Sequence, residues 1–367
     1  MLRLLIINGS MNVGGAETFI MKIYRNIDRT KYQFDFAVGI KEEGAYDKEI
    51  LSLGGKIYHI TPKSKNLKKF YKDIKKVVRD NNYDYVLRMS QFSISALDLL
   101  AAKQGDATHL IMRSTNSQIT GGTLGKIINK LFSWMPKIIP TAKFGPSTES
   151  ADFLFGKNSV KNGKAKVIHN AVPINNFIFN YDIRSKKRKE LGLEDKNFVL
   201  CHIGRFDEQK NHQFLIDVFN EVYKRNNNAI LLLVGDGVLK EQIKNKVNNY
   251  GLQKHVKFLG LRKDVPEILM ASDVDVFPSL YEGMPNTIIE AQATGLPCII
   301  SDTITKEVNI TGNIKFLSLN SNINEWVNEI CTVNLERNDM REIFIKSKYD
   351  IDSVCSDFIN IVFENEI

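Results

Sequence analysis

Short apolar strands alternating with amphipathic helices, in one series along each half of the chain, constrain the fold more than any other feature. Leu4 to Ile7, Phe34 to Val38, Ile57 to Ile60, Tyr85 to Leu87 and Leu110 to Met112 are predicted strands of the first half. Phe198 to Ile203, Ile230 to Val234, Val256 to Leu259, Val274 to Phe277 and Cys298 to Ile300 are those of the second. Strands alternating with helices predict a parallel sheet covered by helices on both faces. Two such series predict an α/β chain of two Rossmann-like, doubly wound domains, with the ligand in a cleft outside the carboxyl ends of the strands. A length of 367 residues allows two cores. The polar, turn-rich stretch Ile168 to Phe177 is the expected boundary, giving domains 1–172 and 173–349.

Charge separates the halves. Residues 1–180 carry 27 Lys and Arg against 14 Asp and Glu, a net +13, whereas residues 181–367 carry 23 against 28, a net −5. The two halves should therefore face different partners. Cys201, Cys298, Cys331 and Cys355 show no metal-ligand spacing, so neither a zinc site nor a disulfide framework is expected, and a reducing cytoplasm fits. The opening MLRLLIINGS reads as a buried strand rather than a leader, and no apolar run approaches the roughly 20 residues that span a bilayer.

Chemistry concentrates in the segment from Pro278 to Cys298. Glu282 falls in a Gly/Pro loop after an apolar strand, and Glu290 is expected about two turns into the following helix. A strand, a tight turn and a helix start make an anion site, because the first helical N–H groups point beyond the strand. Carboxylates grip hydroxyls while N–H groups and cations grip phosphates, so a nucleotide sugar would suit both. Gly204 to Asn211 follows the first strand of the second half. Its Arg205 and Lys210 supply a forked donor and a point charge, the pair a diphosphate needs. Gly14-Gly15-Ala16-Glu17 opens the first helix and reads either as a plain turn or as a close backbone contact with phosphate or sugar.

Other features have plainer readings. Asp273-Val274-Asp275 has the form of a metal-binding DxD, but Asp273 reads as a turn residue bonding local backbone, and no metal is expected. Lys186 to Lys189 read as a solvated helix face. Lys65, Lys68, Lys69, Lys72, Lys75, Lys76 and Arg79 form a basic stripe opposite Leu67, Phe70, Tyr71, Ile74, Val77 and Val78. That stripe is either a solvated face or a contact for an anionic membrane surface. Nucleic acid is not expected, since the stretch lacks aromatics placed for stacking. Phe132 and Trp134 read as a core helix end, with an apolar lip for an acceptor lipid as the alternative.

Together, GGAE at Gly14, HNAV at His169 with Phe177, GRFDEQKN at Gly204, FLGLRKDVPEIL at Phe258 and SLYEGMPNTIIEAQATGLP at Ser279 resemble the retaining glycosyltransferases of family 4, group 1. The match of motif order runs along essentially the whole chain, and Ser301 to Leu319 is similar to enzymes of bacterial capsular and exopolysaccharide assembly. The resemblance implies the GT-B fold, with a terminal helix near 350–367 returning to the N-terminal domain. It implies transfer of a hexosyl unit, with retention, from a nucleotide diphosphate sugar to a glycan hydroxyl. Uridine diphosphate is the implied carrier, and the implied place of work is the cytoplasm or the inner face of its membrane. Arg205 and Lys210 match the cations on the diphosphate, Glu290 the ribose carboxylate, and Glu282 the carboxylate facing the sugar. Gly283, Met284, Pro285, Asn286 and Thr287 match the donor loop. Gly15 and Gly204 match the phosphate turns, and Gly260, Leu261 and Arg262 the base contact. Where relatives carry N-domain histidines this chain reads Arg88-Met89-Ser90 and Arg113-Ser114-Thr115-Asn116, so Arg113, Thr115 or Asn116 is the expected contact there. An epimerase or phosphorylase of the same architecture, a non-catalytic glycan-binding scaffold, and a basic nucleic-acid binder are the competing readings.

Overall fold

The computed structural model describes residues 1–117 and 123–364. The chain divides into two units, Met1–Ala171 with the C-terminal segment from Ile351, and Val172–Asp350. Among the described residues, the first unit has seven parallel strands: β1 (Leu2–Asn8), β2 (Tyr32–Val38), β3 (Ile57–His59), β4 (Tyr85–Met89), β5 (His109–Arg113), β6 (Ala142–Gly145) and β7 (Lys166–Val167). Their order across the sheet is β3-β2-β1-β4-β5-β6-β7. The second unit has six: β8 (Phe198–Ile203), β9 (Ala229–Val234), β10 (Val256–Gly260), β11 (Val274–Phe277), β12 (Cys298–Ser301) and β13 (Ile314–Leu317), in the order β10-β9-β8-β11-β12-β13. Both are the doubly wound sheets that the strand and helix alternation predicts. The short strands β6, β7 and β13 were not among the predicted ones, because Ala-Lys-Phe-Gly, Lys-Val and Ile-Lys-Phe-Leu are too brief and too mixed to stand out.

Strand period explains the two cores of each unit. Successive side chains point to opposite faces. Leu4 and Ile6 enter one apolar cluster of the first unit, while Leu5 and Ile7 enter the other. Val199 and Cys201 likewise face one cluster of the second unit, and Leu200 the other. A buried carboxylate interrupts the first sheet at Asp35 and is fully paired. Arg3 donates from Nε at 2.7 Å and from Nη2 at 2.6 Å, Tyr83 Oη at 2.6 Å and the Lys56 N–H at 2.7 Å.

The chain leaves and rejoins the first unit side by side: Val172 and Asp350 form a parallel bridge, and the Val172 N–H donates to the Tyr349 carbonyl at 2.9 Å. The Ile351–Ile359 helix then packs on the first core. Its Phe358 meets Phe34 at 5.7 Å, Phe144 at 6.0 Å and Phe19 at 6.4 Å between ring centroids.

Two polar expectations are corrected. In the Tyr181–Glu190 helix, Lys187 and Arg188 are buried rather than solvated. Lys187 Nζ holds Glu190 and Asp264, each at 2.7 Å, and Arg188 donates to the carbonyls of Ala271, Glu194 and Asn197. Asp273 does not bond local backbone. It accepts from the Val199 N–H at 2.7 Å and from Arg184 Nη2 at 2.6 Å, tying the start of β11 to β8 and to the 181–190 helix. That carboxylate is occupied by structural partners, which explains it without a metal.

Because Phe358 is fully buried against three other rings, Phe358→Ala should cost about 3–5 kcal/mol of stability. Urea denaturation of the purified variant measures this directly.

Candidate functional site

In the second sheet β8 runs on to β9 and β10 to one side, and β11 returns to the other side of β8. The strand order therefore reverses between β8 and β11, and the loops after these two strands diverge at their carboxyl ends. These loops are Gly204–Asn211 and Pro278–Pro285, the segments that the sequence singles out. Backbone and side-chain bonds join them. The Leu280 N–H donates to the Gln209 carbonyl at 2.8 Å, and Gln209 Nε2 donates to the Tyr281 carbonyl at 3.0 Å.

Lys210 and Glu282, 72 positions apart, meet in an ion pair of 2.6 Å with both side chains mostly shielded. The ammonium also lies 4.5 Å from the centroid of the Phe277 ring. An ammonium has three N–H donors, so pairing with Glu282 leaves donors for a phosphate oxygen. Asp207 sets the backbone of this turn by accepting from the Lys210 N–H at 3.2 Å. Arg205 is different: its guanidinium is largely exposed and only 3.9 Å from Asp207, a loose contact that leaves its fork accessible.

The Asn286–Ala293 helix starts beside Glu282, and its N-cap Pro285 makes no side-chain cap. The Ile288 N–H bonds the Pro285 carbonyl at 3.2 Å, and the N–H groups of Asn286 and Thr287 before it can receive an anion. Glu290 is the fifth residue of this helix, about one turn in rather than two. Met284 is buried in the apolar core, so its side chain is packing and only its backbone faces the loop. Gly260 begins an open turn at φ +68°, and Leu261 after it is exposed. Arg262 is committed elsewhere: its Nε and Nη2 hold Asp264 at 2.7 and 2.5 Å, and Nη2 reaches Glu190 at 3.2 Å.

Several further residues shape the site. A Cβ at Gly235, where φ is +136°, would lie 2.0 Å from the Gly204 carbonyl oxygen. One at Gly204 would lie 3.0 Å from His202 Nε2. Gly235 lets the loops after β8 and β9 close on each other, and Gly204 leaves room for His202 and the Lys210 stem. The Gly235-Asp236-Gly237 run after an apolar strand is the signal that could have found this. His202 and His212 are both buried, with ring centroids 4.7 Å apart. His202 stacks on Phe277 at 5.1 Å and His212 on Phe206 at 4.1 Å. Burial, then the neighbouring His212, holds the His202 imidazole far below its ordinary range. Burial, with Lys210 nearby, pushes His212 down to about 4. Both rings are neutral at physiological pH, so they form an uncharged wall beside the Lys210 ammonium.

In the first unit the order reverses between β1 and β4. The Gly15–Asn26 helix starts after β1 with Gly14 as N-cap, and Gly15 has no heavy atom within 4 Å of where a Cβ would lie. Arg113, at the end of β5, is 2 % exposed and therefore buried away from solvent. Nη2 donates to Asn170 Oδ1 at 2.7 Å, and the guanidinium lies 3.7 Å above the Phe19 ring. Burial lowers it to about 9. Arg113 thus pins Asn170 of the HNAV segment instead of facing solvent. Thr115 and Asn116 are half-buried, and Asn116 Oδ1 accepts from the Ser117 N–H at 2.8 Å.

Residues 183–350 match the family model of glycosyl transferases group 1. The putative glycosyltransferase EpsF of Bacillus subtilis (strain 168) is 32% identical over 348 residues, which are 94% of this chain and 90% of that protein. The capsular polysaccharide biosynthesis glycosyltransferase CapH of Staphylococcus aureus is 28% identical over 84% of this chain and 82% of its own. The UDP-Gal:alpha-D-GlcNAc-diphosphoundecaprenol alpha-1,3-galactosyltransferase of Escherichia coli is 40% identical over 153 residues, 41% of this chain and 38% of that one. Among solved structures, Anabaena Alr3699/HepE in complex with UDP-glucose superimposes with a TM-score of 0.79, covering 98% of this chain and 99% of that one at 18% identity. That last likeness is one of fold.

Asp275, in the middle of β11, is fully buried, and burial pushes its carboxyl up to about 8. An unfolded Asp titrates near 3.9, so from about pH 4 to about pH 8 the unfolded chain releases a proton that the folded one keeps. The contribution of Asp275 to stability should therefore fall across that window by several kcal/mol as pH rises, against the opposite contribution of the buried His202 and His212 below about pH 6.5, so Asp275→Asn should become less destabilising relative to wild type as pH rises. Urea midpoints measured from pH 4 to pH 9 on both proteins check it.

Proposed function

The chain belongs to the group 1 glycosyltransferases, and we propose that it moves a hexosyl unit, with retention, from a UDP-sugar to a hydroxyl of a growing lipid-linked capsular or exopolysaccharide glycan. The observation that carries the reading is the Lys210–Glu282 pair at the strand-order reversal, next to an uncapped helix start. Lys210, Arg205 and the first N–H groups of the Asn286–Ala293 helix take the diphosphate. Glu290 takes the ribose hydroxyls, and Glu282 the donor sugar. Gly204 supplies backbone close to the phosphates, and the loop from Gly283 to Thr287 supports the sugar. Gly260 and Leu261 lie along the base. UDP is favoured as carrier by the UDP-glucose complex among the structural neighbours and by the UDP-Gal enzyme among the relatives. The diphosphoundecaprenol acceptor of that relative supports a lipid-linked acceptor here.

In the reaction the bond from the anomeric carbon to the β-phosphate oxygen breaks. The acceptor oxygen bonds the same carbon on the same face, and its proton passes to the departing diphosphate. Charge grows on the diphosphate as this happens, so fixed cations and helix N–H groups favour the transition state over the ground state. Lys210 is best placed for that role, and Glu282 keeps it oriented until the donor arrives. The neutral His202 and His212 rings add no competing charge.

A lipid-linked acceptor needs the protein at a membrane, and no helix among the described residues is long and apolar enough to cross one. We assign peripheral attachment to the first unit. Lys65, Lys68, Lys69 and Lys72 are exposed on or just before the Leu67–Asp80 helix. Lys76 and Arg79 pair with Asp80 and Asp106, so the free part of the basic stripe is its N-terminal end.

Arg205→Ala and Lys210→Ala should each lower kcat/KM for donor about a hundredfold, near 3 kcal/mol, with the fold retained. Their combination should cost less than the sum, because both act on one diphosphate. Steady-state kinetics with circular dichroism as the folding control test this, and full activity in both variants rejects the diphosphate assignment. Products from donor alone and from donor with acceptor separate transfer from epimerisation or phosphorolysis. An α-linked donor should give an α-linked product, and the anomeric proton coupling in the NMR spectrum decides it.

A further inference from the structure

In the connection from β5 to β6 four large apolar side chains stay in solvent. Ile127, Leu131, Trp134 and Ile138 are 59%, 67%, 51% and 71% exposed. They lie on the Thr123–Leu131 helix, the turn after it, and the Met135–Ile138 helix. Turn bonds of the i→i−3 type bridge the two helices, Ser133 N–H to Lys130 and Met135 to Phe132, between the helical bonds of Phe132 to Ile128 and Ile139 to Met135. At about 100° per residue in the helices and about 120° through the tighter turn, the spacings of four, three and four place all four within about 80° of one another. The inward face is fixed independently. Asn129 is buried and accepts from the Ser93 N–H at 2.5 Å, Phe132 packs on the core, and Met135 and Pro136 are buried. Trp134 is therefore not the core residue that the sequence favours.

Charge says what this face meets. Lys126, Lys130 and Lys137 are exposed and fall on one flank, about 60–100° from the apolar row. No Asp or Glu occurs from residue 107 to residue 148. A second copy docking here in two-fold fashion would bring like-charged rows together with no local acid to pair them. A surface of anionic headgroups over acyl chains satisfies both the row of cations and the row of apolar groups. The face is also near the edge that matters, because the 123–131 helix contacts the Ser93–Ser95 turn that follows β4 at the carboxyl end of the sheet. The basic Leu67–Asp80 helix shares the layer, since it and the 135–138 helix both pack on the Ala96–Gln104 helix.

We propose that the 127–138 face inserts into the headgroup boundary of an anionic membrane, with Trp134 and Leu131 at its centre. The inference rests on the reading of a lipid-linked acceptor, and it replaces attraction by lysines alone with apolar insertion at a defined place. Long-range attraction then falls to Lys65, Lys68, Lys69 and Lys72, and depth to Ile127, Leu131, Trp134 and Ile138.

The chain has two tryptophans, and Trp326 is fully buried in the second unit, so Trp134 is a built-in depth probe. The experiment uses the full chain with vesicles of phosphatidylglycerol and phosphatidylcholine, with and without bromine on the acyl chains. Tryptophan emission should shift to the blue and be quenched by the brominated chains, and Trp134→Phe should abolish both signals. Leu131→Gln combined with Ile138→Gln should lower vesicle partition at least about tenfold with an unchanged melting temperature. Vesicle binding with no quenching, or with partition unaltered in that double variant, overturns the insertion face while leaving membrane attachment standing through the 67–80 helix. No binding of the wild-type protein to any vesicle rejects membrane attachment itself. Reversible dimerisation without lipid that the double variant loses assigns the face to a second copy and overturns the proposal.

Discussion

A parallel strand pair can be joined only by a crossover that covers the sheet, and that constraint decides where this chain can hold a ligand. Each crossover leaves its connection at the carboxyl end of the strand it departs from. Where successive crossovers go to the same side, these connections pack against one another. Where the winding reverses they separate, and a crevice opens. Between β8 and β11 the reversal places two loops 72 residues apart in sequence against the same space, which is why Lys210 and Glu282 can form one pair. The pair is thus a consequence of strand order, and the order follows from apolar strands that must be buried on both faces.

The ends of these strands are built at a cost in stability. Gly235 sits so close to the Gly204 carbonyl that it tolerates no side chain, and two imidazoles and the Asp275 carboxyl are buried nearby. A buried ionisable group stays neutral when burial outweighs the charges around it, and all three do at neutral pH. The result is a low-polarity floor under a single well-oriented ammonium. Electrostatic interactions are stronger in such surroundings than in water, so one cation there does more for a developing phosphate charge than several on an open surface. Arg205, by contrast, is exposed and only loosely held by Asp207.

The architecture was legible because it is written in period and length: ten of the strands announce themselves as apolar runs between turn residues, and the three missed ones are brief and mixed. Where chemistry follows a strand directly, as at Lys210 and Glu282, the two loops singled out in sequence are brought together by an ion pair and by the Gln209 to Tyr281 bond. The site was not legible where the outcome depends on distant partners. Arg262 looks like a free cation in sequence, yet Asp264 and Glu190 take its guanidinium. Arg113 looks like a ligand contact, yet the Phe19 ring and Asn170 take it into the core. Lys187 and Arg188 sit in a run of four cations that reads as surface, but two of the four are buried by acids and carbonyls from other elements. Sequence spacing reports which residues share a face and says nothing of what that face meets. Trp134 shows the converse, an aromatic that reads as core and stays in solvent.

The two charge balances act over different ranges. Residues 181–367 are net negative, yet their proposed ligand is a diphosphate. This is no contradiction, because at physiological salt a charge is screened within about 8 Å. A bound ligand at the loops after β8 and β11 senses the charges next to it, such as Lys210, while the acids of distant helices are hidden by counterions. An extended anionic surface is sensed differently. It touches many groups at once, each contributing about 1 kcal/mol near the headgroups, so the sum over a face matters more than any one contact. The +13 of residues 1–180 is spread over a broad surface and suits that kind of partner. A single-ligand site can thus lie in an acidic half and a surface-binding site in a basic one, each set by the number of charges its own partner can reach.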